Sequence, residues 1–331
     1  MVNRNASASA FGWDFQSNAA IILMLKNIRE ATAIKVEGQM EDIEVYLENG
    51  NIIYSQAKSV FKAEDFSNVK TKLRDGLKTL NDDAKAGNNR ELIYITNSPN
   101  PFDDVETMYC FYGFAQLGFK DLPESCQNEI KNMIEKYSYN ALQLDKLKIY
   151  VLPFNGDGEN RYRVVKERVY EFLHEININN SGLGQSILEI WQRMFNINES
   201  QHDFKINITK EQLIWPVIVS KCEVSKDDEF FTQYDDGDFD EIESKYRDVI
   251  NNNAEKFEVF TRIVSDYSQY NDSKPREKVK NFIKLYWKQF SDEFDVPQIS
   301  LEIKEAVVKL IMHKILQKRH IISDIKKEVN L

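Results

Sequence analysis

The spacing of apolar residues divides the chain into a first half that switches between helical and extended patterns and a second half that is helical nearly throughout. Phe15, Ala19, Ile22, Leu25 and Ile28 recur at helical spacing and predict a helix over 14–31, with Asp14 at its N-cap. The run from 19 to 25 is apolar almost all round, so this helix belongs in the interior. Three extended stretches follow, at 32–37, 42–47 and 52–58. The last two are joined by Glu48-Asn49-Gly50-Asn51, a hairpin turn signal. Phe66, Val69, Leu73, Leu77, Leu80 and Ala84 predict a helix over 65–84, closed by Gly87-Asn88-Asn89. The apolar run at 90–96 reads as an interior strand. Helices over 102–118 and 123–137 come next, then a strand over 146–152 placed at the sheet edge.

Residues 153–160, rich in Pro, Gly, Asn and Asp, mark the clearest boundary. They divide the chain into an α/β domain at 1–154 and an all-α domain at 161–331. Helices are expected over 161–175, 183–196, 209–222, 239–268, 275–292 and 299–328. Thr209 with Glu211-Gln212 resembles a capping box, and Pro216 kinks or begins a helix. No fixed-period repeat is present.

Composition narrows the function classes. With 331 residues, two domains are the expectation. No apolar run reaches the ~20 residues of a membrane span, and the first twelve residues lack the apolar centre of a signal peptide. Cys110, Cys126 and Cys222 are widely spaced, fit no metal pattern and suggest reduced thiols in a cytoplasmic protein. His174, His202, His313 and His320 are scattered, which speaks against zinc. A net charge of −10 argues against a constitutive DNA binder, yet leaves room for a local basic surface.

The stretch 37–58 carries the candidate chemistry. Alternation along a strand sends Asp42 and Glu44 to one face and Ile43 and Val45 to the other, and Gln56 and Lys58 likewise share a face. A hairpin can bring these carboxylates, an amide and an ammonium together. Oxygen donors of this kind hold Mg²⁺ or Mn²⁺, and a lysine beside the ion can orient a water or stabilise developing charge. The register matters. A two-residue Asn-Gly turn would set Asp42 opposite Ala57, on the wrong face. A three-residue loop, Asn49-Gly50-Asn51, sets Asp42 opposite Lys58 and Glu44 opposite Gln56, so an odd loop or a bulge is expected. The acid-x-Lys tripeptide carries no weight alone, since it recurs at Glu129, Glu243, Asp272, Glu302 and Asp324. The alternative reading is a hairpin whose wet face is simply charged.

Asp42 followed by Gln56-x-Lys58 resembles the signature of the PD-(D/E)XK nuclease superfamily, with Gln-x-Lys as in its Mrr-like restriction branch. Gly12-x-Asp14-Phe15-Gln16, Glu37-Gly38, Glu41-Asp42-Ile43-Glu44 and Gln56-Ala57-Lys58-Ser59 together resemble the double-stranded DNA endonuclease domain of bacterial anti-phage effectors of the CBASS and Lamassu types. The order helix, three strands, helix, strand matches the αβββαβ core of the restriction-endonuclease-like fold. The resemblance implies a sequence-tolerant, metal-dependent endonuclease. Asp42 with one of Glu37 or Glu44, and the Gln56 side-chain carbonyl or backbone, would hold Mg²⁺ or Mn²⁺, and Lys58 would position the hydrolytic water. Gln16 would contact a metal-bound water or a phosphate, or serve only as a capping or surface residue. Lys70, Arg74 and Lys78, one line on the 65–84 helix, would contact the DNA backbone or form a solvated face. Control by homo-oligomerisation or by SMC-like partner subunits is implied, because a free nuclease is toxic. The second half lacks the α/β pattern of a nucleotide sensor, which favours the Lamassu-like case. The competing reading is a non-enzymatic helical scaffold.

Two charged segments remain. Residues 227–243 hold nine acids interleaved with Phe230, Phe231, Tyr234 and Phe239. They read as a solvated acidic loop, or as a segment that docks on a basic partner or mimics DNA. Lys318, Arg319, His320, Lys326 and Lys327, near the other end of the helical half, could pair with that loop, with DNA or with nothing.

Overall fold

The structure, a computed structural model, describes residues 6–38, 40–178, 182–201, 203, 205–220, 257–275, 277–294 and 301–331. Its first compact unit runs to Lys210 and its second from Glu211 to Leu331. Helix α1 (Ala6–Lys26) leads into β1 (Ala31–Val36), β2 (Ile43–Leu47), β3 (Ile52–Lys58), α2 (Val69–Ala84) and β4 (Asn89–Thr96). Next come β5 (Ala115–Gly118), α3 (Glu124–Tyr137), β6 (Leu147–Val151), α4 (Glu159–Glu175), α5 (Leu183–Glu199) and β7 (Ile208–Thr209). The seven strands form one mixed sheet of order β5-β6-β4-β3-β2-β1-β7. β3, β4 and β6 run parallel, and the remaining pairs are antiparallel.

Strands β3 and β4 are central, so both their faces need cover. Tyr54, Leu92 and Tyr94 pack with Leu73, Leu77 and Leu80 of α2 and Ile130 of α3. On the opposite face α1 lies along β1, β2 and β3, and α4 and α5 pack on α1. Phe11, Phe15, Phe154 and Tyr162 form a chain of ring contacts that ties α4 to α1. The unit holding the sheet therefore continues past the boundary expected at 153–160. A helical region does follow the α/β core, beginning at 211 rather than 161.

Several boundaries shift for identifiable reasons. α1 starts at Ala6, so Asp14 lies inside it rather than capping it; Phe11 extends the buried stripe one turn back. The helix expected over 102–118 is instead a 3₁₀ turn at Val105–Phe111, capped by Asp104, followed by β5. Gly113, at φ +70°, separates the two. β5 takes the sheet edge, which leaves β6 inside it.

The hairpin has an odd loop, as expected, but one residue earlier. Tyr46 pairs with Ile52, and the Leu47 amide donates to the Asn51 carbonyl at 3.0 Å. The loop is therefore Glu48-Asn49-Gly50, with Gly50 in the left-handed region at φ +79°. Glu44 faces Tyr54, and Ile43 faces Ser55. Continuing this register sets Asp42 opposite Gln56, not Lys58, while parity keeps all three on one face.

The second unit contains α6 (Lys210–Val219, beginning on the last residue of the first unit), α7 (Phe257–Gln269), α8 (Lys278–Ser291) and α9 (Leu301–Glu328). Pro216 lies inside α6. The acidic segment 227–243 and the first part of the helix expected over 239–268 lie outside the described residues. Among the described residues no helix is long and apolar enough to cross a membrane.

Candidate active site at the open end of the hairpin

β2 starts only at Ile43, so the ladder stops before it can take the Ala57 amide. The Asp42 carboxylate takes it instead: Oδ2 accepts from Ala57 N at 3.0 Å. The same oxygen accepts from the Gln56 side-chain amide and stands 4.0 Å from Lys58 Nζ. These three side chains thus meet at the carboxyl ends of the parallel strands, where Lys58 neighbours Thr96. Burial raises the Asp42 carboxyl above its ordinary range; Lys58 and the Ala57 amide oppose the shift, and Glu37 adds to it.

Glu37 joins through α1. Gln16, almost fully buried, donates from Nε2 to Glu37 Oε1 at 2.9 Å and to the Asp42 carbonyl at 3.0 Å. Gln16 therefore ties the Glu37 carboxylate to the main chain at Asp42. The Glu37 backbone sits at φ +52°, a region that side chains without a local hydrogen-bonding head rarely occupy. That twist turns the chain out of β1 into a tight loop closed by Glu37 N to Asp42 O and Gly38 N to Glu41 O, both 2.8 Å. A side chain at Gly38 would strike Glu44, its Cβ falling 2.4 Å from the Glu44 carboxyl carbon.

Glu44 does not join the cluster. Its Oε1 accepts from the Met40 and Glu41 amides at 2.8 and 3.2 Å, and its Oε2 from the Tyr46 hydroxyl at 2.5 Å. Oε1 is thus committed to closing the β1–β2 turn and Oε2 to Tyr46 of β2. Glu41 precedes β2, so strand alternation does not place it, and it has a role of its own. It is buried against Asp83 of α2, and its Oε2 accepts from the Asp42 amide at 3.0 Å. Burial and the Asp83 contact push the Glu41 carboxyl up to about 11, and burial pushes Asp83 up to about 6. A carboxylic acid and a carboxylate sharing one proton accounts for Glu41 Oε1 and Asp83 Oδ2, which lack any other partner.

The expected DNA-backbone line lies elsewhere on α2. Lys70 stands 3.8 Å from Glu129 of α3. Arg74 is bound to Asp75 and packs on the Tyr137 ring, and Lys78 is exposed. Lys72, not singled out from sequence, is half-buried beside Lys58 on the other flank of the helix. Glu199 was also missed. It closes α5 and accepts from Ser17 Oγ at 2.9 Å, while its Oε1 is buried without a partner. Burial, and then the carboxylates of Glu37, Asp42 and Asp14, push it up to about 7. Two further contacts from the same turn hold β1: Asn198 Oδ1 accepts from Val36 N at 2.9 Å, and its carbonyl accepts from Lys35 Nζ at 2.7 Å. The apolar stripe predicts this helix only as far as 196, so nothing in the sequence marks Glu199.

The donor set suits a hard divalent cation. Among the described residues the hydrogen bonds to the Asp42 carboxylate go to Oδ2 and the one to the Glu37 carboxylate goes to Oε1, which leaves Asp42 Oδ1 and Glu37 Oε2 without hydrogen-bond partners there. Turning the Gln56 amide over exchanges Nε2 for Oε1 and offers an oxygen at the same spot. Among the described residues no three His, Cys, Asp or Glu side chains form a metal-binding group. A protein supplying two carboxylates fits Mg²⁺, which keeps several waters. No family model, curated protein or solved structure matches the chain.

Proposed function

We propose that this chain is a metal-dependent endonuclease that hydrolyses phosphodiester bonds of double-stranded DNA without reading sequence. The observation that carries the reading is the junction of Asp42, Gln56 and Lys58 on one face, with Glu37 tied in through Gln16. Asp42, Glu37 and the Gln56 carbonyl would hold Mg²⁺ or Mn²⁺. When bound, the ion neutralises the phosphate and lowers the pKa of a coordinated water. Lys58 orients the attacking water and stabilises charge developing on the phosphate oxygens. Gln16 holds the Glu37 carboxylate beside the Asp42 main chain before substrate arrives, which removes a reorganisation cost. Glu44 serves the turn that presents Asp42 rather than the ion itself.

The biological setting follows from the resemblance in the motif: an effector of bacterial anti-phage defence, held in check by oligomerisation or by SMC-like partner subunits. The decisive experiment incubates plasmid with the protein and Mg²⁺ or Mn²⁺, alongside Lys58→Ala and Asp42→Ala. Cutting by the wild type and by neither variant supports the reading. Equal cutting by all three refutes it. A second reading, a scaffold with an inactive nuclease-like domain, draws on the lack of a three-acid cluster among the described residues. Toxicity on expression that Asp42→Ala relieves would exclude that scaffold.

A further inference from the structure

The β3–α2–β4 connection runs α2 antiparallel to β3, so residues one helical turn apart on α2 overlie residues two apart on β3. One turn rises about 5.4 Å and two strand residues about 6.6 Å, close enough to keep the pairing in step. Gly76 marks the point of closest approach. A Cβ there would lie 3.5 Å from Gln56 Cγ and 2.5 Å from the Tyr94 ring. Four residues back on the same face is Lys72, and two residues further along β3 is Lys58. Lys70 and Arg74 lie about 160° and Lys78 about 120° round the helix from Lys72.

Lys58 is matched by Asp42, whereas Lys72 makes no ion pair among the described residues. Burial and the Lys58 charge both lower the Lys72 ammonium below its ordinary pKa. Two crowded ammonium groups, one of them half-buried and unmatched, are relieved when an anion sits between them. We infer that Lys72 is a second phosphate-contacting cation of the site, clamping the backbone phosphate that Lys58 also touches. This rests on the nuclease reading and adds a residue outside its motif.

The test measures binding of a fluorescein-labelled DNA duplex to the full chain in Ca²⁺ across a salt series, and cleavage in Mn²⁺. The proteins are wild type, Lys58→Met, Lys72→Met, Lys72→Arg and, as a control, Lys85→Met. Lys85 pairs with Asp82 at the far end of α2. Lys72→Met, which keeps the apolar stem, should weaken binding about tenfold and lower the salt slope by roughly 0.9, the contribution of one phosphate contact. Lys72→Arg should restore both, and Lys85→Met should change neither. Restoration by arginine separates phosphate contact from mere packing. If wild type binds and Lys58→Met impairs cutting while Lys72→Met keeps wild-type affinity and slope, the inference falls and the nuclease reading stands. If wild type neither binds nor cuts the duplex, both fall.

Discussion

The two compact units bury different things. In the first, Gln16, Lys35, Glu41, Glu44, Gln56 and Asp83 are all nearly inaccessible, and most lie within reach of the open end of one hairpin. In the second, the described interior is built from residues such as Phe260, Phe282, Trp287, Phe290, Leu310 and Ile311, with Ser291 and Lys314 as its buried polar side chains. An unsatisfied buried polar group costs ~1–3 kcal/mol, so a fold gathers such groups only where other interactions offset the penalty. In the first unit the offset is visible. Gln16 and Glu44 satisfy groups of the β1–β2 turn, and Asp42 takes the Ala57 amide and the Gln56 side chain of β3. The helical unit needs no such network, because burying aromatic and aliphatic area is enough. The buried carboxylates of the first unit thus gather at the hairpin's open end, whereas the second unit is packed by apolar area along its helices.

That contrast breaks most severely if Asp42 or Lys58 is dispensable. Asp42→Ala and Lys58→Ala should each lower the cleavage rate by about 10³-fold, read by single-turnover cutting, with the calorimetric midpoint little moved for Lys58→Ala and lowered for Asp42→Ala, which strips the Ala57 amide and Gln56 of their acceptor. On the other side, Phe282→Ala should cost the helical unit about 3 kcal/mol or more of stability. It should leave cutting per folded molecule unchanged; a matching loss of catalysis would show that the units cannot be read separately. Gly76→Ala is the intermediate case. Its methyl must displace the buried Tyr94 ring and so should cost ~1–3 kcal/mol, and by shifting α2 over Gln56 it should also slow cutting.

The smallest effect sharpens the comparison through pH. Glu41 and Asp83 both have folded-state values raised above the unfolded ones, so the native state holds more protons between the two limits. Stability from the pair is complete below about pH 4 and declines as pH rises through about 6, where Asp83 ionises, and on toward 11. Glu41→Gln, which keeps a donor to Asp83 but binds no proton, should flatten that decline. Thermal unfolding should find the variant more stable than wild type at pH 8, with the advantage shrinking toward pH 4. Parallel pH profiles for the two proteins would refute the shared proton.

What was legible in the sequence was short-range. β3 lies over 52–58 as read, because β-branched and aromatic residues between turn signals leave few alternatives. The parity of the hairpin was legible too, since the wrong parity would turn Asp42 away from Gln56 and Lys58. The loop moved by one residue because Gly50, not Asn51, takes the left-handed position that closes the turn. β5 was hidden inside an aromatic-rich stretch with helical spacing, and only its pairing with β6 makes it a strand.

The sequence by itself determined most of the described helices, most strands and the nearness of Asp42, Gln56 and Lys58 along one face of a hairpin, because periodicity and turn chemistry act over a few residues. Tertiary structure alone decided which acid stays in the cluster and which is spent on the turn. It also brought Gln16 between Glu37 and Asp42, set Lys72 over Lys58 and carried Glu199 to the site from more than 150 residues away. Those placements depend on how an amphipathic helix sits on a twisted sheet, and no local pattern encodes that.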